Sequence, residues 1–371
     1  MKILVVFGTR PEAIKLAPIV KVLRDDPENF DVRVCVTAQH REMLDQVLAF
    51  FGLVPDFDLN LMRPRQTLFD ITAGGLTGLH DVIERFQPDH VIVQGDASSS
   101  FVGALAGFYG QAKVSHVEAG LRSGDKQAPY PEEVNRKLIS HMADYHFPPT
   151  EQARSNLAAE GITENVWVVG NTVIDALHIG LELIAEGLDD QFGEHFAFLS
   201  PDRRMVLITA HRRESFGKPV EDMGDAIKEL ASRFRDVDFL YPVHPNPNVK
   251  EPMERKLGNQ ENVHLTPPLE YPALIWTMSR AHLVLTDSGG IQEEAPALGK
   301  PVLVMRDVTE RVEGIEAGTA KLVGTQREVI TSEVTTLLTD PEAYARMAQA
   351  VNPYGDGTAS IQIRDVLRES L

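Results

Sequence analysis

The chain contains a single cysteine, Cys35, among its 371 residues. An intrachain disulfide is therefore impossible, a cysteine-rich zinc site is excluded, and a reducing compartment is expected. None of the 12 histidines is spaced as in the metal-binding patterns HxxxH and HExxH. The sequence also has neither a Walker A motif nor a G-x-S-x-G motif, so P-loop and serine-hydrolase chemistry lack their usual residues.

Long apolar runs are missing as well, and no stretch approaches the roughly 20 apolar residues that span a bilayer. The apolar run at residues 1–8 is too short for the hydrophobic part of a signal peptide. Basic residues are in the minority, with 36 Lys and Arg against 54 Asp and Glu, which gives a formal net charge of -18. Because this acidic excess repels phosphate backbones, we expect a soluble, cytoplasmic protein that has no nucleic-acid or membrane partner.

The sequence does contain short β-branched runs, each followed by a turn and a helical pattern, and this predicts βαβ units with parallel sheets. Apolar and polar residues do not alternate strictly within the runs, which favours sheets buried on both faces. A chain of 371 residues exceeds the usual size of one core, so two doubly wound α/β domains are predicted. The predicted strands are Ile3–Phe7, Val32–Thr37, His90–Gln94, Val114–Val117 and Val166–Val169 in the first series, and Met205–Thr209, Asp238–Val243, Val263–Thr266, His282–Thr286 and Pro301–Met305 in the second.

The join between the two series is predicted at residues 170–172, because a strand-like run ends there and a helical stretch, Val173–Leu183, follows. Near the other end, residues 352–357 have the composition of a turn that breaks a helix, and a last helix is predicted over Ser360–Leu371. In open α/β sheets, ligands bind beyond the carboxyl ends of the strands. Polar residues just after the strands are therefore the candidate site residues.

The segment Gly8–Lys15 follows the first predicted strand and begins a helix. Gly8 permits a tight turn, while Arg10 and Lys15 place two cations near the positive end of the helix dipole, which suits a diphosphate. The G-x-G-x-x-G fingerprint of dinucleotide sites is missing here. A plain helix start with solvated basic residues is the alternative interpretation.

The segment Asp287–Glu294 follows the strand His282–Thr286 and also begins a helix. A hydroxyl, two glycines and a carboxylate in this segment can bind a phosphate and a ribose diol. These residues are Ser288, Gly289, Gly290 and Glu294. An ordinary helix cap with acidic first-turn residues would account for Asp287 and Glu293, but it does not explain paired glycines, which weaken helices.

Carboxylates follow the predicted strands of the first half, and the candidates are Asp96, Glu118, Glu132 and Glu133. Several acids in one crevice can divide general-acid and general-base roles, because mutual repulsion separates their pKa values. A helix cap at Asp96 is the alternative. In the second half, His211 and Arg212 directly follow a strand, where a histidine can transfer a proton or stabilise a departing phosphate. A structural histidine is the alternative there.

Together these motifs resemble those of the non-hydrolysing UDP-N-acetylglucosamine 2-epimerases, and they occur in order over essentially the full chain. The matching segments are GTRPEAIKLAP at 8–18, TAQHREMLDQVL at 37–48, VQGD at 93–96, HVEAGLRSG at 116–124, PYPEEVNR at 129–136, GNTVIDAL at 170–177, AHRRESFG at 210–217, TDSGGIQEEAPALGKPVLVMRDVTER at 286–311 and NPYGDG at 352–357.

The resemblance implies the GT-B fold, in which two Rossmann-like doubly wound domains close on the ligand in a cleft and the last helix returns to the first domain. It implies an N-terminal domain on the sugar side, formed by residues 1–170 and 355–371, and a C-terminal UDP-binding domain, formed by residues 171–354. It also implies a homodimer that requires no metal, nicotinamide or other cofactor.

The resemblance further implies roles for individual residues. The catalytic residues would be Asp96, Glu118, Glu132 and His211. Substrate and UDP would be bound by Arg10, Lys15, Arg136, Ser288, Gly289, Gly290, Glu294 and Arg311. A second UDP-N-acetylglucosamine, which many bacterial members bind as an allosteric activator, would contact Gln39, Arg65, Glu132, Arg212 and His244. After Asp96 the chain has serines at 98–100 where threonines are common in the family, so small hydroxyls are kept.

The implied reaction is the reversible C2 epimerisation of UDP-N-acetylglucosamine to UDP-N-acetylmannosamine, which supplies cell-surface polysaccharide synthesis. UDP leaves by anti elimination to give 2-acetamidoglucal, and it adds back with protonation on the opposite face of C2. Three alternatives stay open. They are a hydrolysing epimerase that releases N-acetylmannosamine and UDP, a GT-B glycosyltransferase, and a nucleotide-sugar sensor without turnover.

Overall fold

The computed structural model describes residues 1–37, 41–63, 65–210 and 217–371, which form two compact units. The first unit comprises Met1–Ile179 and Tyr354–Leu371, and the second comprises Gly180–Pro353. Each unit has one parallel β-sheet with helices along its connections, so the predicted α/β class with two doubly wound domains is confirmed.

Among the described residues, the first unit contains six parallel strands in the order β3-β2-β1-β4-β5-β6. Their bounds are β1 (Lys2–Phe7), β2 (Asp31–Val36), β3 (Phe57–Asp58), β4 (His90–Gln94), β5 (Lys113–Val117) and β6 (Tyr145–Phe147). All residues of β4 are buried, and β1 is buried except at Lys2, as expected for a sheet covered on both faces.

The helices of the first unit lie between these strands along the chain, as in doubly wound folds. They are α1 (Arg10–Arg24), α2 (Arg41–Phe50), α3 (Leu68–Phe86), α4 (Ser98–Tyr109), α5 (Glu132–Met142) and α6 (Glu151–Ala159). Helix α1 begins with Thr9 as its N-cap and Glu12 completing a capping box, with Pro11 in the first turn. Apolar side chains of α3, α4 and the central strands form one core, to which Leu4, Val93 and Leu79 belong.

The chain passes from the first unit to the second within α7 (Thr172–Gly187), which confirms the helix predicted after the join. The second sheet also has six parallel strands, in the order β12-β11-β10-β7-β8-β9. Counted along its own sequence, this order is the same as in the first sheet. The strand bounds are β7 (Arg204–Thr209), β8 (Val237–Pro242), β9 (Val263–Thr266), β10 (Leu283–Thr286), β11 (Val302–Val304) and β12 (Ala320–Leu322).

The helices of the second unit are α8 (Asp189–His195), α9 (Lys218–Arg233), α10 (Pro247–Leu257), α11 (Tyr271–Arg280), α12 (Ile291–Ala297), α13 (Val312–Glu316), α14 (Arg327–Thr339) and α15 (Pro341–Ala348). Helix α9 is strongly amphipathic, and its buried face, which includes Met223, Ile227 and Leu230, packs on the core beneath the sheet. No helix in the described ranges is long and apolar enough to cross a membrane.

The last helix, α16 (Ala359–Glu369), belongs to the first unit. Ser360 fixes it there, because its backbone N–H and its hydroxyl both donate to Oδ1 of the buried Asp175, at 2.8 and 2.6 Å. Gly357 permits this return: its φ is +89°, and a β-carbon there would lie 2.3 Å from Nδ1 of His178. The turn predicted from the sequence therefore carries the chain past α7.

Nine of the ten predicted strands are confirmed, and the prediction for Val166–Val169 is wrong. That segment makes only one bridge, between Val166 and His146 of β6. Pro148 and Pro149 follow β6 directly and lack the N–H donors that would extend the pairing. Three strands were not predicted, because β3, β6 and β12 contain only two or three residues each.

Candidate active site

Several of the candidate residues follow the strands at which each sheet reverses its order. In the first sheet the order reverses between β1 and β4, so the turn after β1 and the turn after β4 lie side by side. These turns contain Gly8 and Asp96. In the second sheet the reversal falls between β7 and β10, and the turn after β10 contains Ser288. The strand topology thus explains why distant sequence motifs meet.

The buried side chain of Glu12 links the turn after β1 to the start of α4. Its carboxylate accepts hydrogen bonds from the backbone N–H groups of Gly8 and Thr9, at 3.1 and 2.8 Å. The hydroxyls of Ser99 and Ser100 donate to it as well, each at 2.7 Å. Burial raises the pKa of Glu12, and the hydrogen bonds from Thr9, Ser100, Ser99 and Gly8 oppose that rise. Ser99 and Ser100, two of the serines that follow Asp96, therefore hold the carboxylate of Glu12.

Gly8 is confined by its neighbours. A β-carbon at this position would lie 2.0 Å from Oγ1 of Thr37 and 3.0 Å from the β-carbon of Ser99. Arg10 is the first residue of α1 and is half-buried. The predicted tight turn before the helix is confirmed.

Glu118 directly follows β5 and forms an ion pair with Lys15 of α1. Its backbone has a φ of +60°, an uncommon value for a residue that is not glycine. The amide Nδ2 of Asn171 also donates to Oε2 of Glu118, at 3.0 Å. Asn171 is itself held by the chain's return, because its backbone N–H donates to the carbonyl of Tyr354 at 2.7 Å. The carboxylate of Glu118 is therefore fixed from two sides.

Asp96 follows β4 and is held by Arg136 of α5. The Nε and Nη2 atoms of Arg136 lie 2.7 and 2.6 Å from Oδ2 of Asp96. Asn135 donates from Nδ2 to the backbone carbonyl of Asp96, at 2.9 Å. The N-cap of α4 is Ala97 and carries no side-chain hydrogen bond, so the alternative of a helix cap at Asp96 is wrong.

Glu133 contacts a different nitrogen of the same arginine. Its side chain is fully buried, and its Oε2 lies 3.2 Å from Nη1 of Arg136. It also accepts hydrogen bonds from the backbone N–H groups of Ser123 and Gly124, at 3.0 and 3.2 Å. Burial raises the pKa of Glu133, but these backbone hydrogen bonds and Arg136 outweigh burial and lower the pKa overall. Glu133 is thus a buried anion that orients Arg136.

Glu132 is the first residue of α5. Its Oε2 atom is buried and has no hydrogen-bond partner among the described residues. Asp96 and Glu118 differ in this respect, because each forms an ion pair with a cation. A carboxylate oxygen that is buried without a partner is costly in a folded protein, and such atoms are found at functional sites.

His116 lies on β5, two residues before Glu118. Its Nε2 is 2.8 Å from the carbonyl oxygen of Gly95, the residue before Asp96. Burial lowers the pKa of His116 to about 3, and the hydrogen bond to Gly95 opposes this only in part. The imidazole is therefore neutral and supports the turn after β4.

This burial predicts a loss of stability in acid. The pKa of His116 in the folded chain is below its usual value of 6.5. The contribution of the buried neutral imidazole to the free energy of unfolding is therefore complete above about pH 6.5, and it is lost as the pH falls toward 3. The free energy of unfolding should fall by up to about 1.4 kcal/mol for each pH unit in that range. Urea unfolding at pH 7 and pH 5 measures this. His116→Gln should show a smaller difference between the two pH values, whereas exposed His80→Gln should match the unaltered chain. If the unaltered chain and both variants lost the same stability between pH 7 and pH 5, His116 would not be the group responsible.

In the second unit, the ends of β7 and β10 are joined by the hydroxyls of Thr209 and Thr286, which lie 2.6 Å apart. The backbone N–H of Ser288 donates to Oγ1 of Thr286 at 2.9 Å. The N-cap of α12 is Gly290, without a side-chain hydrogen bond, so Asp287 is not the helix cap that the alternative required. The carboxylate of Glu294 is nearly buried beside Gly290, where a β-carbon would lie 3.6 Å from its Oε2.

Arg311 lies next to the same turn. A β-carbon at Gly289 would be 3.7 Å from its Cζ, so the guanidinium group borders this glycine. Its Nε donates to Oε1 of Glu293 at 2.6 Å. Glu293, for which the alternative interpretation offered only a place in the first turn of the helix, is therefore also the ion-pair partner of Arg311.

The structure thus brings together Asp96 with Arg136, Glu118 with Lys15, and Arg311 with the Ser288–Gly290 turn. His211, Gln39 and Arg212 lie outside the described residues, so their predicted roles stay predictions. Arg65 and His244 are both exposed. Within the described ranges there is no group of three or more His, Cys, Asp or Glu side chains that could hold a metal ion.

Several supporting residues were not predicted as parts of the site. They are Glu12, His116, Asn135, Asn171 and Glu293, together with Gln292 and Thr309, whose side chains are hydrogen-bonded to each other and, through Thr309, to the backbone of Arg311. Each acts through contacts with residues distant in the sequence, and their spacing gives no signal of those contacts. Glu12 alone had a local signal, since Thr9 and Glu12 have the spacing of a capping box.

Two α/β units with this strand order and polar residues at both reversals define a protein of the GT-B class. The fold extends to remote structures, such as a sucrose-phosphate synthase from Thermosynechococcus elongatus, with 12% identity, a TM-score of 0.63 and coverage of 100% of this chain and 99% of the other. At much higher identity, a sequence model of UDP-N-acetylglucosamine 2-epimerase matches residues 21–368. The chain belongs to the UDP-N-acetylglucosamine 2-epimerase family.

Individual relatives cover the whole chain. It is 52% identical to the UDP-N-acetylglucosamine 2-epimerase of Escherichia coli (strain K12), over 100% of this chain and 99% of that protein. It is 50% identical to the Bacillus subtilis (strain 168) enzyme, over 99% and 95%. The crystal structure of the Neisseria meningitidis enzyme bound to UDP-GlcNAc is 48% identical, with a TM-score of 0.90 and full coverage of both chains.

Proposed function

We propose that the chain catalyses the reversible C2 epimerisation of UDP-N-acetylglucosamine to UDP-N-acetylmannosamine without hydrolysing it. The observation that carries this proposal is the set of three carboxylates after β4, after β5 and at the start of α5. Two of them are held by cations, and one has a buried oxygen that lacks a partner within the described ranges. Membership of the family supports the substrate, and the Neisseria meningitidis relative binds UDP-GlcNAc in its crystal structure.

Epimerisation at C2 needs an indirect route, because the proton on C2 is not adjacent to a carbonyl group. In the proposed anti elimination, a base removes the C2 proton and the C–H electrons form a C1=C2 double bond. The C1–O bond breaks at the same time, and its electrons leave with UDP. UDP then adds back to C1 while C2 accepts a proton on its opposite face.

We propose different roles for the three carboxylates. Arg136 and Lys15 fix Asp96 and Glu118, which suits anions that stabilise positive charge developing at C1. Glu132 has a buried oxygen with no hydrogen-bond partner in the part of the chain that the structure describes, which suits a group that exchanges a proton with C2. His211, which lies two residues after the end of β7 in the sequence, would assist proton transfer or the departing phosphate.

On the nucleotide side, the Ser288–Gly290 turn and Arg311 would bind the diphosphate, and the carboxylate of Glu294 would accept hydrogen bonds from the ribose. Arg10, Lys15 and Arg136 would bind the substrate through their positive charge. The first unit would thus act on the sugar and the second would hold UDP. Both fragments must stay bound while the C1–O bond is broken, which requires water to be excluded.

Incubation with UDP-N-acetylglucosamine in heavy water tests the proposal. We expect a mixture of UDP-N-acetylglucosamine and UDP-N-acetylmannosamine, each with deuterium at C2, because the returning proton comes from solvent. NMR of the C1 and C2 positions measures both the ratio and the exchange.

Other outcomes would identify the alternatives. Free N-acetylmannosamine with an equal amount of UDP would indicate a hydrolysing epimerase. Transfer of the sugar only when an acceptor is added would indicate a glycosyltransferase. Tight binding without any turnover or exchange would indicate a nucleotide-sugar sensor. Each of these three results contradicts the proposal.

We also propose that the protein is a homodimer with a second, activating UDP-N-acetylglucosamine site. Exposed apolar side chains on neighbouring helices α4 and α5, namely Phe108, Tyr109 and Leu138, support an interface between copies. Arg65 and His244 are exposed and could reach a second ligand, together with Gln39, Glu132 and Arg212.

A further inference from the structure

Arg311 and the Ser288–Gly290 turn belong to one hydrogen-bonded network in the second unit. Gln292 donates from Nε2 to the carbonyl of Ser288 at 3.0 Å. The hydroxyl of Thr309 donates to Oε1 of Gln292 at 2.8 Å, and the backbone N–H of Arg311 donates to that hydroxyl at 3.1 Å. The network connects the turn after β10 with the loop that carries Arg311, although 23 positions separate Ser288 from Arg311 in the sequence.

Glu293 connects to the same arginine through its side chain. Its carboxylate is 2% exposed, and Arg311 Nε donates to its Oε1 at 2.6 Å. The backbone of Glu293 is fixed at two points, since its N–H donates to the carbonyl of Gly290 and its carbonyl accepts from Nδ2 of Asn352 at 3.2 Å. A rigid, buried acid therefore contacts the edge of the guanidinium that carries Nε.

The contact of Glu293 with Nε determines how the guanidinium group of Arg311 is oriented. A guanidinium group has five N–H donors in a fixed plane, and fixing the Nε edge sets the direction of the two Nη groups. In this chain the plane lies beside Gly289, where even a β-carbon would approach within 3.7 to 3.9 Å of Cζ, Nη2 and Nε. A charged acceptor also holds the arginine more firmly than a neutral one.

We infer that Glu293 is a positioning residue that orients Arg311 toward a diphosphate at the Gly289–Gly290 turn, with Gln292 and Thr309 fixing the distance between turn and arginine. This inference rests on the proposed function, because it takes the ligand of Arg311 to be a diphosphate. Glu293 itself would touch neither the nucleotide nor the sugar.

Titration calorimetry with two probes, UDP and uridine, tests the inference on the full chain. Glu293→Gln should raise the Kd of UDP about 10-fold, because the charged partner of Arg311 is lost. The Kd of uridine, which has no phosphate, should not change. Glu316→Gln, at the exposed end of α13, is the matched control and should leave both Kd values unchanged.

Thr309→Val provides a second variant that removes one hydroxyl without changing side-chain shape. It should weaken UDP binding with uridine binding retained, even if Glu293→Gln folds poorly. Equal losses for UDP and uridine in both variants, or unchanged UDP binding with a lower melting temperature, would overturn the inference.

The same measurements separate this inference from the proposed function. If Arg311→Lys leaves UDP affinity unchanged, Arg311 is not a diphosphate ligand and the inference fails. If the unaltered chain shows no exchange at C2 in heavy water but Glu293→Gln still weakens UDP selectively, the epimerase proposal fails and the positioning role stands.

Discussion

Replacing Glu132 by glutamine is expected to lower kcat for UDP-N-acetylglucosamine about 1,000-fold, a typical effect of losing a general acid or base. The amide cannot accept and return the C2 proton, yet it has nearly the same size as the carboxylic acid. UDP binding should be kept, because Glu132 is not part of the nucleotide side. Deuterium incorporation at C2 in heavy water measures turnover, and calorimetry measures the Kd of UDP.

Glu151→Gln is the matched control for this variant. Glu151 is the first residue of α6, as Glu132 is of α5, but its side chain is 72% exposed. Both substitutions remove a first-turn acid and its interaction with the helix dipole. Normal turnover in Glu132→Gln would contradict the proposed role. Turnover restored by excess UDP-N-acetylglucosamine would instead assign Glu132 to the second, activating site.

Replacing Glu12 by alanine is expected to lower the free energy of unfolding by at least about 3 kcal/mol. Two backbone N–H groups and the hydroxyl of Ser99 would lose their acceptor in a buried position, the hydroxyl of Ser100 would keep only the carbonyl of Gln94, and a cavity would remain. The turn that carries Gly8 and Arg10 would also lose its attachment to α4. Urea unfolding monitored by circular dichroism measures the change.

Asp70→Ala provides a control with the same local motif. Asp70 forms a capping box with Thr67 at the start of α3, as Glu12 does with Thr9 in α1, but Asp70 is exposed. Losing an exposed capping interaction should cost about 1 kcal/mol. If Glu12→Ala were no more destabilising than Asp70→Ala, the contacts with Ser99 and Ser100 would contribute nothing to stability.

Much of the fold could be predicted because local and tertiary preferences agree. The β-branched runs that form β1, β4 and β7 are buried on both faces, so their uninterrupted apolar character is visible in the sequence. Edge strands of two or three residues, such as β3 and β12, have too few residues for a recognisable pattern. Val166–Val169 has the composition of a strand, but the prolines after β6 prevent its pairing.

The positions of the candidate residues after strands could also be predicted, but their partners could not. Asp96 and Arg136 are 40 residues apart, and Lys15 and Glu118 are 103 apart. Such contacts depend on which strands are neighbours. As a result, cations that the sequence suggested for a diphosphate are already paired with carboxylates in the structure.

The sequence by itself determined the α/β class, the two series of strands, the turns that expose Gly8, Asp96 and Ser288, and the family. These features depend on composition and spacing within a few residues, where local backbone chemistry acts. Only the tertiary structure decided that Glu118 is fixed by Lys15 and Asn171, and that one oxygen of Glu132 is buried without a partner among the described residues. Burial and ion pairing are set by the order of strands in the sheet, because that order brings together side chains from distant parts of the chain.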